Sequence, residues 1–110
     1  MITGVGIDII EIERIEKILN EKSNFLERNF TKNELKLNKK TETVAGNFAA
    51  KEAFAKALGT GFRGFGLVDV EVLRDELGKP YIVFQGEQIN ANVSISHNRS
   101  TAVAVVILSE

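Results

Sequence analysis

Asp8, Lys51, Glu52 and Lys56 are the side chains of this 110-residue chain whose types and spacing could do chemistry. Lys51, Glu52 and Lys56 fall within Phe48-Ala49-Ala50-Lys51-Glu52-Ala53-Phe54-Ala55-Lys56-Ala57-Leu58, a run of strong helix formers that stops at Gly59 and Gly61. On a helix, Phe48, Glu52 and Lys56 share one stripe with Lys51 beside it, and the alanines leave a surface thin enough for close packing. Asp8 lies about forty residues upstream in Gly4-Val5-Gly6-Ile7-Asp8-Ile9-Ile10, flanked by isoleucines. A carboxylate among apolar neighbours needs a cation or a metal, unless strand alternation turns it to solvent. Two carboxylates with no His or Cys near them in sequence are hard oxygen ligands of the kind Mg²⁺ takes, and lysines beside them complement phosphate charge. The chemistry this points to is transfer at a phosphate ester or pyrophosphate, where positioning and charge neutralisation dominate. Two other readings stand beside it: a small binding domain whose Glu–Lys pairs merely face water, and a different Mg²⁺-dependent phosphotransferase.

The elements that must position these groups follow from periodicity. Residues 2–10 read as a strand, whose glycines mark close approach by another backbone or a ligand. From Glu11 the period becomes helical, with Ile12, Ile15 and Leu19 as the core stripe. The polar run Asn20 to Asn24 breaks that helix, and Ser23 is placed to cap a short turn holding Phe25 and Leu26. Thr31-Lys32-Asn33-Glu34 is a capping-box pattern opening another short helix. After a loop from Asn38 to Thr43 the central helix begins near Thr43. Gly59, Gly61, Gly64 and Gly66 punctuate a connector that is either a plain linker or a flap over something bound; it lacks the spacing of a Walker or dinucleotide loop. A hairpin follows: a strand around Val68, Val70 and Val72, a turn at Asp75 to Pro80, and a strand Tyr81 to Phe84. A loop or short helix spans Gly86 to Asn92. The second hairpin runs from Val93 to His97 and from Thr101 to Leu108. Its last strand is apolar almost throughout, so it is expected to be buried on both faces, inside the fold or at a subunit contact. The predicted fold is one α+β domain over residues 1–110: a mostly antiparallel sheet packed against one long helix, with short accessory helices.

Composition sets limits. With 14 basic and 15 acidic side chains the chain is almost neutral, unlike a general nucleic-acid binder. It has no cysteine, hence no disulfide or thiolate site. No apolar run reaches the length of a membrane span, and a cytoplasmic protein is expected.

Taken together, Gly4-Val5-Gly6-Ile7-Asp8 and Phe48-Ala49-Ala50-Lys51-Glu52-Ala53-Phe54-Ala55-Lys56 resemble the two-part signature of 4′-phosphopantetheinyl transferases. Ala57-Leu58-Gly59-Thr60-Gly61, Gly78-Lys79-Pro80 and Val93-Ser94-Ile95-Ser96-His97 are similar to the small bacterial branch, the holo-[acyl-carrier-protein] synthase family, over essentially the whole chain. The resemblance implies transfer of the phosphopantetheine arm of coenzyme A to a serine of apo-acyl carrier protein, in support of fatty acid biosynthesis, with release of adenosine 3′,5′-bisphosphate. It also implies a homotrimer with coenzyme A in clefts between subunits. By position, Asp8 and Glu52 match Mg²⁺ ligands, and Lys51 and Lys56 match lysines near the coenzyme phosphates. Glu52 is the candidate base, directly or through a water on the metal, and Lys56 would stabilise the leaving phosphate. Gly78, Lys79, Pro80, Ser96 and His97 match coenzyme contacts; a lone histidine at a strand end has a purely structural reading as well. The resemblance places carrier docking on Arg14, Lys17, Ile18, Phe25 and Arg28, although Glu13, Glu16 and Glu21 nearby fit a simple solvated face. One departure stands out. The family commonly has Arg where this chain has Asn47, so an anion contact is either missing or supplied by Lys39, Lys40 or Arg99.

Overall fold

The computed structural model describes residues 1–21, 23–37 and 40–110. The chain forms β1 (Ile2–Glu11), α1 (Ile12–Asn20), α2 (Phe25–Asn29), α3 (Lys32–Leu35) and α4 (Thr41–Leu58). A 3₁₀ turn at Leu67–Asp69 leads to β2 (Val70–Arg74), β3 (Pro80–Phe84), β4 (Glu87–Gln88), β5 (Ala91–His97) and β6 (Thr101–Ser109). All pairings are antiparallel, as expected, but the strands form two three-stranded sheets rather than one: β1-β6-β5 and β2-β3-β4. The stretch read as a loop or short helix after Gly86 begins with β4. Gln85 and Gly86, both at positive φ (52° and 87°), make a two-residue turn that sends the chain back along β3.

Helix α4 organises the molecule. It starts two residues earlier than periodicity suggested and stops at Gly59 in the left-handed conformation (φ 83°). Its alanines let it lie directly on the first sheet: Ala45, Ala49, Ala50, Ala53 and Ala57 are buried, facing Ala102, Ala104 and Val106 of β6. The close approach marked by the glycines of β1 is to the backbone of α4. A Cβ on Gly4 would stand 2.0 Å from the carbonyl oxygen of Ala57, and one on Gly6 would stand 1.9 Å from that of Ala53.

Within the single chain, strand β6 is fully buried on one face only. Ala102, Ala104, Val106 and Leu108 pack inward, while Val103, Val105 and Ile107 remain half-buried on the other side. They pair across to Ile9, Ile7 and Val5 of β1, which are 67%, 59% and 59% exposed. Val5, Ile7 and Ile9 of β1 thus point outward, and Gly4, Gly6, Asp8 and Ile10 face the helix.

Thr31 and Glu34 form the capping box: Glu34 N–H donates to Thr31 Oγ1 (3.2 Å) and Thr31 N–H to Glu34 Oε1 (3.0 Å). The glycine-rich connector is pinned at Phe65, whose ring packs against Phe54 and Phe84 with centroids 6.2 Å and 5.0 Å away. The break read at Asn20 to Asn24 and the loop from Asn38 include Lys22, Asn38 and Lys39, which lie outside the described residues.

Candidate active site

Where β1 passes the C-terminal half of α4, three of the four chemistry-bearing residues meet. Asp8, with its side chain 18% exposed, accepts a hydrogen bond from Lys56 Nζ at 3.0 Å. The same ammonium donates to the Ile7 carbonyl, also at 3.0 Å. Glu52 stands one turn before Lys56, half-buried, and its carboxyl is pushed above the usual value, first by burial and then by the negative charge of Asp8. Lys56 and Arg14 pull in the other direction. Burial is the larger cause and the Asp8 charge adds to it, and the two cations only partly offset them, so Glu52 holds a proton more tightly than a free carboxyl. A half-buried carboxyl shifted in this way beside a second carboxylate marks a candidate functional site.

The donor set can be tested against Mg²⁺. Among the described residues no group of three or more His, Cys, Asp or Glu side chains stands together. A cation on Asp8 and Glu52 would have two protein carboxylates and would complete its shell from water and substrate oxygens. Mg²⁺ is commonly bound that way, so the residues fit.

Lys51 requires a correction. Expected beside the phosphates, it is instead fully buried, with all three ammonium protons taken. It pairs with Glu34 Oε1 at 2.5 Å and donates to the carbonyls of Asn29 (2.6 Å) and Leu67 (3.0 Å). It also lies 4.6 Å from the Phe30 ring centroid. Burial pushes Lys51 down and Glu34 up, each opposed by the attraction of the other. Glu34 Oε2 accepts from Val72 N–H at 3.0 Å, so one ion pair ties α3, α4, β2 and the 3₁₀ turn together. Lys51 and Phe48 both meet the Phe30 ring, and a helical repeat does not reveal the Glu34 carboxylate that waits across from them. Lys51→Met should cost about 3–5 kcal/mol of folding stability, because Glu34 would be left charged and buried. Adding Glu34→Gln should recover part of the loss, as read by urea denaturation; an undiminished stability with a weakened coenzyme affinity would restore the phosphate role.

The residues expected to contact the coenzyme lie toward the opposite edge of the first sheet, with β6 between. Gly78, Pro80 and His97 line one cleft of about 320 Å³. Asp75 Oδ1 shapes the turn by accepting from Leu77 and Lys79 N–H, both at 2.9 Å, and Gly78 sits at φ 86°. Lys79 opens onto an adjacent cleft with Asp75 and Tyr81. Ser96 stands on the other face of β5 from His97, paired with Val103. Of the docking residues, Arg14, Lys17 and Arg28 are exposed and Ile18 is half-buried, with Lys17 reaching Glu13 at 3.9 Å. Phe25 is also half-buried, packed on Phe48 and Phe30 with centroids 5.4 Å and 6.2 Å away. Two residues of consequence escaped the sequence reading: Glu34, seen only as a cap, and Arg74, which continues the inward face of Val70 and Val72 on β2. A cation on that face was the available signal.

The sequence pattern of the 4′-phosphopantetheinyl transferase superfamily matches residues 4–107. The chain belongs to that superfamily. A holo-[acyl-carrier-protein] synthase from Clostridium botulinum (strain Alaska E43 / Type E3) is 52% identical, over 98% of each chain. A holo-[acyl-carrier-protein] synthase from Bacillus anthracis, crystallised in complex with CoA (3′,5′-ADP), is 47% identical with a TM-score of 0.86, over 98% of this chain and 96% of that one. The Helicobacter pylori synthase in complex with coenzyme A is 37% identical with a TM-score of 0.87, over 96% and 99%. This phosphopantetheinyl transferase fold carries the Asp8–Glu52–Lys56 cluster described above. No helix among the described residues is long and apolar enough to cross a membrane.

Proposed function

We propose that this chain transfers the 4′-phosphopantetheine arm of coenzyme A to a serine of an apo-acyl carrier protein and so supports fatty acid biosynthesis. The observation that carries the reading is the partly buried Asp8–Glu52 pair with Lys56 at its edge, in a chain of this superfamily. The serine oxygen forms a bond to the phosphorus bearing the pantetheine arm. The bond from that phosphorus to the bridging oxygen breaks, and adenosine 3′,5′-bisphosphate leaves. Asp8 and Glu52 would hold Mg²⁺, which when bound neutralises pyrophosphate charge and makes the phosphorus more open to attack. Glu52 is suited to receive the serine proton, since burial and Asp8 raise its affinity for one. Lys56, 57% exposed, can release Asp8 and meet the charge growing on the leaving phosphate. Mass spectrometry of a carrier protein treated with this chain, coenzyme A and Mg²⁺ tests the reading.

The assembly we infer is a homotrimer. Val5, Ile7 and Ile9 with Val103, Val105 and Ile107 make one outward apolar sheet face, which a second copy would cover. A site between subunits would also bring the carboxylate pair of one chain to the His97 cleft of another. Ile7→Asp should preserve the monomer fold but give monomers with little activity by light scattering and assay. A fully active monomer would overturn the trimer.

Carrier docking is assigned to Arg14, Lys17, Ile18, Phe25 and Arg28. Arg14 acts electrostatically on Glu52, so this surface borders the carboxylate site, as a docking face for the acceptor serine must. Exposed cations of this kind raise association rate and are screened over about 8 Å at physiological salt. Arg28→Glu should raise KM for the carrier severalfold, blunt its salt dependence and leave coenzyme affinity unchanged. Arg14→Glu should do the same and also disturb the acid limb of the pH profile through Glu52. An unchanged carrier KM in both would move docking elsewhere.

A further inference from the structure

The cleft lined by Gly78, Pro80 and His97 contains a cation that the transfer chemistry leaves without a task. Arg74 ends β2 and forms part of the cleft wall. Its Nη2 donates to Asn47 Oδ1 at 2.6 Å, and Nη1 reaches its neighbour's carbonyl at Leu73 at 3.4 Å. Asn47 is itself 4% exposed on α4, so the anchor is rigid. A guanidinium has five N–H donors, and these bonds use two. Among the described residues no carboxylate forms an ion pair with Arg74. Glu34 acts on it only at longer range, and Glu42, also on the cleft wall, does not bond it. Burial works against its charge. A half-buried guanidinium with a fixed pose and spare donors is half of an anion site.

We propose that Arg74, oriented by Asn47, binds the 3′-phosphate of coenzyme A. The assignment rests on the proposed transferase function and follows from counting anions. The pyrophosphate must lie at the Asp8–Glu52 pair, on β1 and the C-terminal half of α4. Arg74 stands instead at the N-terminal half of α4, in the cleft with Gly46 and His97. The one other anionic group on the coenzyme is the 3′-phosphate. The same geometry explains Asn47. This chain brings a guanidinium from β2 to the buried face of α4 and uses Asn47 as its tether. Arg99 also comes near His97, from the turn before β6, but makes no hydrogen bond or ion pair among the described residues. A tethered cation has less side-chain freedom to lose on binding than a free one.

Calorimetric titration with coenzyme A and with 3′-dephospho-coenzyme A separates this role from a structural one. The natural chain should prefer coenzyme A by roughly tenfold or more, the worth of a charge-assisted hydrogen bond pair. Arg74→Gln should remove the preference while leaving affinity for the dephosphorylated ligand unchanged. Asn47→Ala, which frees the guanidinium, should give an intermediate preference. The exchange Asn47→Arg with Arg74→Asn should restore it. A retained preference in Arg74→Gln, or an equal loss of both ligands, would overturn the assignment. A natural chain that binds neither ligand would overturn the transferase function, and the assignment with it.

Discussion

Gly6→Ala should leave the chain largely unfolded. The added methyl would lie 1.9 Å from the carbonyl oxygen of Ala53 and 2.6 Å from the amide nitrogen of Ala57. Both are backbone atoms of α4, so no side chain can swing aside; the helix must lift off the sheet. Lifting it exposes the alanine face and the buried side of β6 together. The cost should exceed about 4 kcal/mol, a large fraction of the roughly 5–15 kcal/mol that holds a domain together. Gly4→Ala meets the Ala57 carbonyl at 2.0 Å and should behave alike. Gly66→Ala is the control: it adds a methyl with nothing within 4 Å at an ordinary negative φ of −115°, and it should fold normally. Far-UV circular dichroism and urea titration of the three variants check this. A cooperative Gly6→Ala chain of near-natural stability would mean that helix and strand do not meet so closely. The functional consequence is direct, since the bonds from Lys56 on α4 to Asp8 and the Ile7 carbonyl need the close approach that the preceding glycines allow.

The second large effect falls on activity and has the opposite sign for stability. Asp8→Asn and Glu52→Gln should each lower transfer at least about a hundredfold, as the proposed metal site on these two carboxylates requires. Glu52→Gln should nevertheless be as stable as the natural chain or melt roughly 2–5 °C higher. Its carboxyl is raised, so the native state holds that proton more tightly than the unfolded chain does. Ionising Glu52 as pH rises from its unfolded value through its raised folded value therefore removes stability, and the neutral glutamine escapes that loss. Activity should move the other way, falling as pH drops through the raised Glu52 value, because the protonated acid can neither ligate nor accept a proton. Melting curves and single-turnover assays across pH 4–8 report the two trends. Retained activity in either neutral variant, with coenzyme A and Mg²⁺ in excess, would sink the shared-site model.

Much of this was legible in the chain because local rules agreed with the fold. Helix α4, its glycine stop and the Thr31–Glu34 box follow from propensity and capping, which neighbours in sequence determine. The pairing of the last two strands follows from Asn98, whose side chain accepts from the amides of Ser100 and Thr101 to close the turn. Lys51 was misread because a helical repeat ranks positions by angle and says nothing about partners across the core, here Glu34 and two loop carbonyls. The outer face of β1 was hidden for a different reason. Gly4, Gly6 and Asp8 lie on the helix side and Val5, Ile7 and Ile9 on the open side, the reverse of the usual inside–outside pattern. In the proposed trimer Val5, Ile7 and Ile9 would be covered by a second copy, and a single sequence does not display its neighbours. The split of the strands into two sheets depends on how β3 lies against β5, a long-range choice without a local signal.

The chemistry itself is tested most directly by the mass of the acceptor. An apo-acyl carrier protein incubated with this chain, coenzyme A and Mg²⁺ should gain the mass of one phosphopantetheine on its serine. Adenosine 3′,5′-bisphosphate should appear in equal amount, and both should be absent with Asp8→Asn or when the metal is chelated. An unmodified acceptor under those conditions, from folded protein and with several carrier proteins offered, would contradict the transferase function; so would modification that persists in the Asp8→Asn chain for the carboxylate site.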